Sequence, residues 1–367
     1  VRDAVFAQSP LYCGFGGLWY CTVNATAAFG KGRSKMKIAL LSEEPQNLQR
    51  VFPEELRERL AALGELYGPV LSKATLEKHK RFTCDCEAIF STWGMAPLST
   101  QEIQTYFPNL RAVFYAAGTV QYFARPFLER GVEVFSAWQA NAVPVAEFTF
   151  AQIVLAAKGY FQSAGRCKKG YWSAQHMAQR HPGNYRLQVG IVGVGSIGSL
   201  VCERLKTIDC EALAYDPYLS EERARALGVR LVSLPELFSS CDVISNHLAN
   251  KEELAGIFHY ELFSRMKPNA TFINTGRGRQ VVEKDLARAL REEPGRAALL
   301  DVLTKEPYAP WNPLMRRKNA FLTPHIAGSM GREVWRMAEY MIEEFGRWSA
   351  GGQTHYGVTL QMLETMA

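Results

Sequence analysis

Cysteine is sparse in this chain and has no pattern. The eight cysteines among 367 residues are scattered, and the closest two, Cys84 and Cys86, stand at C-x-C spacing, which suits neither a zinc site nor a dithiol redox motif. Such usage is that of a reduced, cytoplasmic protein. The seven histidines form no H-x-x-x-H array, so no metal is expected. No uninterrupted apolar run approaches the ~18 residues of a membrane span, so no membrane partner is expected. Charge of one sign is also lacking: 42 basic against 36 acidic residues leave a net charge of +6. Nucleic-acid binding needs such charge concentrated. The only basic cluster, "GRCKKGYW" at 165–172 with Arg180, His181 and Arg186 beyond, is short and reads as a solvated or subunit-contacting loop. Repeats and low-complexity tracts are missing as well.

What is present is an alternation of short apolar strands and helical stretches, the signature of a parallel α/β architecture. A length of 367 residues suggests two domains, each with its own core. Residues 1–35 have neither helical nor strand periodicity and read as a disordered or non-native extension. A signal peptide is the alternative, because Ala25 and Ala27 mimic a cleavage site. From Met36 onward, "KIALLS", "AIFSTW", "AVFYAAG" and "VEVFSAW" are expected strands of the first half. The second half adds "QVGIVGVG", "EALAYD", "DVISNH", "TFINTG", "AALLDV" and "AFLTPH". A helix over 144–157 is apolar on nearly every face and opens with Pro144 at a first helical position. Near the C-terminus, Val334, Met337, Ala338, Met341, Ile342 and Phe345 make one apolar stripe on an amphipathic helix. Because it follows the last strand, that helix is expected to cross back to the first domain, giving a discontinuous domain of 36–140 and 329–367 around an inserted 141–328.

Gly193, Gly195 and Gly198 form G-x-G-x-x-G between a strand and a helix. The first permits the tight turn, the second lets a pyrophosphate approach the backbone, and the third packs helix on strand. The helix N-terminus then faces the phosphates. Asp216 ends the following strand, 18 residues after Gly198, where a ribose-binding acid is expected. A carboxylate there accepts both ribose hydroxyls and repels a 2′-phosphate, which favours NAD over NADP.

Polar residues end the later strands: Asn246, His247, Arg277, Asp301 and His325. In an open parallel sheet, ligands bind at the carboxyl ends of strands, so these would ring one crevice. Arg277 lies between Gly276 and Gly278, which give the backbone room to turn it inward. A guanidinium at the mouth of a buried strand needs an anion, and a substrate carboxylate would supply it. His325, after Pro324, can exchange a proton with a carbonyl or hydroxyl oxygen. Glu306 is its expected orienting acid.

These stretches, "VGIVGVGSIG" with Asp216, "INTGRG", "LLDVLTKEP", "LTPHIAG" and "ANAVPVAEFTFAQIVLA", resemble the D-isomer-specific 2-hydroxyacid dehydrogenase family over the chain from about Met36 to the end. The resemblance implies a Rossmann doubly wound domain inserted into a flavodoxin-like substrate domain, a homodimer, and Arg277, Glu306 and His325 as the catalytic set. Ser196, Ile197, His247 and Thr275 would join Gly193, Gly195, Gly198 and Asp216 around NAD, with Asp301 near the nicotinamide carboxamide. Backbone amides of 92–96 and 116–120, in particular at Trp93, Gly94 and Gly118, would hold the substrate carboxylate alongside Arg277. The implied reaction is hydride transfer between NAD and C2 of a D-2-hydroxy acid or 2-keto acid. Two alternatives stay beside it: an NADH-responsive corepressor that binds protein partners, and a dehydrogenase of formate or phosphite. Formate-type sites resemble a histidine-glutamine pairing, and Glu306 departs from that.

Overall fold

The structure, a computed structural model, describes residues 35–363, and the expectations for the first 34 residues lie outside it. It contains two sheets. In the first are β1 (Lys37–Leu41), β2 (Glu65–Leu71), β3 (Ala88–Ser91), β4 (Ala112–Tyr115) and β5 (Glu133–Ser136). The second holds β6 (Tyr185–Val192), β7 (Asp209–Tyr215), β8 (Val229–Leu231), β9 (Val243–Asn246), β10 (Thr271–Asn274), β11 (Ala297–Leu300) and β12 (Ala320–Leu322). The chain then returns, and β13 (Gly357–Val358) pairs antiparallel with β5 at the edge of the first sheet. All other pairings are parallel.

Strands β3, β4, β9, β10 and β11 are buried at every residue. That is the burial of strands covered on both faces by crossover helices, and it explains why they read as continuous apolar runs. The order of the second sheet is β12-β11-β10-β9-β6-β7-β8. The chain therefore winds outward from β6 through β7 to β8, then jumps to the other side of β6. That reversal opens a crevice at the carboxyl ends of β6 and β9, where ligands bind in such sheets.

The helix Trp138–Ala157 begins six residues earlier than expected, so Pro144 stands inside it rather than at its start. Pro144 has no N–H to offer the Ala140 carbonyl, which ordinarily costs a helix several kcal/mol. Burial of Ala140 and Ala142 supports the segment before the proline. Among the described residues this is the one helix long and apolar enough to cross a membrane, although Asn141, Glu147, Thr149 and Gln152 interrupt it. Half or more of it is buried against the protein, including packing on the helix Ser196–Leu205, and an apolar core helix has the same composition.

The helix Glu333–Ser349 buries Val334, Met337, Ala338, Met341, Ile342 and Phe345 in one cluster with Ile38, Phe90 and Phe114 of the first sheet. Phe114 stacks on Phe90 and Phe135 with ring centroids 4.9 Å apart in each case. The fully buried Glu344 accepts the amides of His355 (2.6 Å) and Tyr356 (2.7 Å) and pairs with Arg347 at 2.7 Å. A buried carboxylate so satisfied fixes how the helix turns into β13. Where the chain passes from the first sheet to the second and back, Asn141 Oδ1 accepts the Ser329 amide at 3.0 Å.

Candidate active site

Strand register assembles the site. Tyr215, Val192, Asn246, Asn274, Leu300 and Leu322 stand side by side at the ends of β7, β6, β9, β10, β11 and β12. One residue further along each strand come Asp216, Gly193, His247, Thr275, Asp301 and Thr323. Five of these six are residues the sequence singles out, and parallel pairing places them in one row on one rim of the sheet.

At the left of that row the glycine-rich turn is built for close approach. Gly193 has φ +87°, and a β-carbon on it would lie 2.8 Å from the backbone of His247. Gly198 presses on the carbonyl of Gly193, leaving no room for a side chain. Gly195 instead faces open space and caps the ten-residue helix Ser196–Leu205. Asp216 bends toward the turn, accepting the Val194 amide at 2.7 Å and the Tyr218 amide at 2.9 Å. Arg223 reaches the first turn of the same helix, donating to Ser199 Oγ at 3.3 Å.

His247 is half-buried as a residue, but its Nδ1 is enclosed without a hydrogen-bond partner while Nε2 meets Ser245 Oγ at 2.9 Å. Burial pushes its pKa down to about 3, so the ring is neutral. Thr275 is buried and its hydroxyl lies 3.2 Å from that of Thr149 on the long helix.

A buried network that sequence reasoning missed shapes the arginine loop. Asn246 Nδ2 donates to Asn274 Oδ1 (2.9 Å) and to Gln280 Oε1 (2.7 Å). Asn274 in turn accepts the Gly276 amide (3.0 Å) and donates to the Arg277 carbonyl (3.2 Å). Gln280 and Asn274 are polar residues that the fold hides completely, and their only sequence signal is an asparagine at the end of an otherwise apolar strand. The flanking glycines act through space rather than through backbone freedom, since neither has a positive φ. A side chain on Gly276 would meet Asn246 Nδ2 at 2.9 Å, and one on Gly278 would overlap the carbonyl of Leu303. Gly278 thus seats the arginine loop against the loop that carries Glu306. Burial pushes the Arg277 pKa down and the nearby Glu306 carboxylate pushes it back up. Among the described residues its Nη1 donates to the Gly276 carbonyl, at 2.9 Å.

Glu306 Oε2 and His325 Nδ1 are 2.8 Å apart, and both side chains remain partly open to solvent. His325 has φ +55°, a left-handed conformation that non-glycine residues adopt only when their surroundings hold them there. Asp301 supplies much of that hold. Its carboxylate accepts Thr323 Oγ1 (2.6 Å) and the amides of Ile326 (2.8 Å) and Ala327 (2.8 Å), and its carbonyl accepts the His325 amide (3.0 Å). Tyr308, another residue the sequence did not mark, donates to the carbonyls of both Asp301 and Thr323.

In the loops 92–96 and 116–120, Gly94 has φ +89°, and a β-carbon on it would lie 3.0 Å from Glu44 and Ser42. The two loops are tied together by Thr92 Oγ1 donating to the Ala116 carbonyl at 2.8 Å, and Ser136 Oγ holds the carbonyls of Ala117 (2.9 Å) and Gly118 (2.6 Å). The amides of Met95 and Ala116 are already spent on Thr92 and Ser91. They therefore do not serve a ligand, which narrows the expectation of 92–96 and 116–120 to Trp93, Gly94, Gly118 and their neighbours.

Fold and crevice together define a two-sheet α/β protein with a dinucleotide cradle beside an arginine and a carboxylate-paired histidine. The chain belongs to the D-isomer-specific 2-hydroxyacid dehydrogenase family. Residues 150–327 match the family profile described as D-isomer specific 2-hydroxyacid dehydrogenase, NAD binding domain. A glyoxylate reductase from Korarchaeum cryptofilum is 32% identical over 279 residues, 75% of this chain and 82% of that protein. A D-3-phosphoglycerate dehydrogenase from Archaeoglobus fulgidus is 33% identical over 237 residues, 64% of this chain but only 44% of that relative's length. The apo structure of D-mandelate dehydrogenase from Rhodotorula graminis superimposes with a TM-score of 0.73 at 21% identity, over 88% of this chain and 97% of that one. The last likeness is one of fold. NAD is the cofactor of the family's matched domain, and the cradle fits it: a dinucleotide would fill the open space over Gly195 and supply a polar neighbour to the rim on which the unpartnered His247 Nδ1 lies.

Proposed function

We propose that this protein interconverts a D-2-hydroxy acid and the corresponding 2-keto acid with NAD(H). One observation carries the reading: the rim that presents the dinucleotide cradle also presents a half-buried arginine close to the glutamate that holds His325 Nδ1 at 2.8 Å. Arg277 would bind the substrate carboxylate through paired charge-assisted hydrogen bonds. Amides of Gly94 and Gly118 would share that anion. With Nδ1 engaged by Glu306, the ring has Nε2 left to give a proton to the keto oxygen in one direction and take it from the hydroxyl in the other. Glu306 would hold the tautomer and stabilise the imidazolium. Bound nicotinamide supplies or accepts the hydride at C2. Asp216 would take the ribose hydroxyls, and the helix starting at Ser196 the pyrophosphate.

A glutamate rather than a glutamine beside His325 favours this reading over a formate-type site. The exposed Tyr160, Tyr171, Trp172 and Tyr185 lie in or near the basic stretch read from sequence as a solvated or subunit-contacting loop, and exposed aromatics there favour the subunit-contacting reading and with it a homodimer. The test is NADH oxidation by the purified protein across 2-keto acids from glyoxylate and pyruvate to branched, aromatic and phosphorylated ones. Arg277→Ala should raise KM and lower kcat, and His325→Ala should remove turnover while sparing NADH binding. Full activity in either variant would defeat the role assigned to that residue.

A further inference from the structure

The helix Glu283–Glu292 and the segment 311–317 border a groove of about 310 Å³ lined by Lys284, Arg288, Arg291, Arg316, Arg317 and Trp311. Its electrostatics are one-sided because the helix turns Glu283 and Asp285 to other segments and shares Glu292 between Tyr260 and Arg288. Glu283 accepts the Thr304 amide at 2.7 Å and Asn312 Nδ2 at 2.6 Å. Asp285 accepts the Tyr260 amide at 3.0 Å, and Glu292 accepts the Tyr260 hydroxyl at 2.6 Å. Of the five cations only Arg288 has an ion pair among the described residues, with Glu292 at 2.8 Å. Its guanidinium also lies 3.8 Å from the Tyr260 ring, which fixes its direction. Among the described residues Lys284, Arg291, Arg316 and Arg317 have no carboxylate in ion-pair range.

The platform beneath is rigid. Asn312 is buried, held by Glu283, and its Oδ1 caps the following turn through the Leu314 amide at 3.0 Å. Leu314 is buried under the groove. Between these anchors Trp311 is 75% exposed. A large indole held out in solvent costs stability unless something covers it, and five cations in one concavity repel one another unless an anion enters. Neither feature serves the dinucleotide cradle or the Arg277 and His325 rim, whose residues are all different.

We propose that this groove is a second ligand site, for a nucleoside polyphosphate, with the base stacked on Trp311 and the phosphates held by Arg291, Arg316, Arg317 and Lys284. Planar guanidinium forks match phosphate oxygens in pairs. An aromatic face accepts any base, so the site should be tolerant of base identity. A groove of this volume lies at the small end of ligand pockets and suits one nucleotide rather than a polymer.

The test is calorimetry on the full chain saturated with NADH, so that the glycine-rich cradle is closed to adenine nucleotides, with ATP, GTP and inorganic tripolyphosphate as probes. One equivalent of ATP and of GTP should bind, more weakly as salt rises. Arg291→Glu combined with Arg316→Glu should abolish binding of all three probes while leaving NADH affinity unchanged, which also reports that the variant is folded. Trp311→Ala should weaken ATP by about tenfold or more and leave tripolyphosphate unaffected. The proposal fails if no equivalent binds beside NADH, or if charge reversal leaves binding intact. It fails equally if Trp311→Ala weakens nothing, or if polyglutamate or duplex DNA outcompetes ATP for the same arginines.

Discussion

Gly278 and Leu303 touch backbone to backbone, so closely that a β-carbon on the glycine would overlap the Leu303 carbonyl group. Thr304 Oγ1 reinforces the contact, donating to the Gly278 carbonyl at 3.4 Å. Through this one approach the loop of Arg277 is set against the loop of Glu306. Gly278→Ala should therefore cost roughly 1–3 kcal/mol, as overpacking does, and lower turnover more than a surface change of equal stability cost. Thermal unfolding together with keto-acid reduction checks this; unchanged values in both would mean that the two loops separate easily.

Glu306→Gln preserves the shape of the His325 partner and removes its charge. Turnover should fall by about two orders of magnitude or more, the scale of a general acid that loses its orienting group. NADH affinity should stay as it is, because the hydrogen bond that Glu306 makes among the described residues is to His325 and not to the glycine-rich turn. Single-turnover and binding measurements on the variant separate the two.

The neutral His247 makes the protein sensitive to acid. Its folded pKa of about 3 lies below its unfolded value of about 6.5, so the unfolded chain binds the extra proton. This contribution to stability is complete above pH 6.5 and declines as pH falls from there toward 3, by roughly 1.4 kcal/mol per unit. Urea unfolding at pH 5 and pH 7 should show a smaller difference in His247→Asn than in the parent. An equal difference would mean that another group sets the acid limb.

Asp216 and Arg223 approach the same helix from opposite charges, the carboxylate on the Val194 amide and the guanidinium on Ser199. Asp216→Ser removes the repulsion of a 2′-phosphate and leaves Arg223 to meet it. The ratio of kcat/KM for NADH over NADPH should fall at least tenfold, and adding Arg223→Ala should restore part of it. A ratio that does not move would place cofactor choice outside this pair.

Much of the sheet was legible because central parallel strands are buried on both faces and read as short apolar runs. Of the strands at the sheet edges, β12 was legible as well, whereas β2, β8 and β13 were not. In β2 (Glu65–Leu71), Gly68 and Pro69 interrupt the run and only Leu71 is buried, while β8 and β13 are too short to carry a pattern. The start of the long helix was misplaced because Pro144 is an obvious first residue from local rules, and only tertiary burial of Ala140 and Ala142 extends the helix through it.

The sequence by itself determined which residues stand at the strand ends, because a strand's apolar run must stop where the chain leaves the core. It therefore marked Gly193, Asp216, His247, Arg277, Asp301 and His325 one by one. Tertiary structure alone decided that parallel register sets most of them in one row, that Asp301 turns back to hold the histidine loop, and that Asn246, Asn274 and Gln280 brace the arginine loop. Those are hydrogen bonds between segments 22 to 34 residues apart. Local propensity contains no information about partners at that distance; strand pairing and the need to satisfy every buried polar group do.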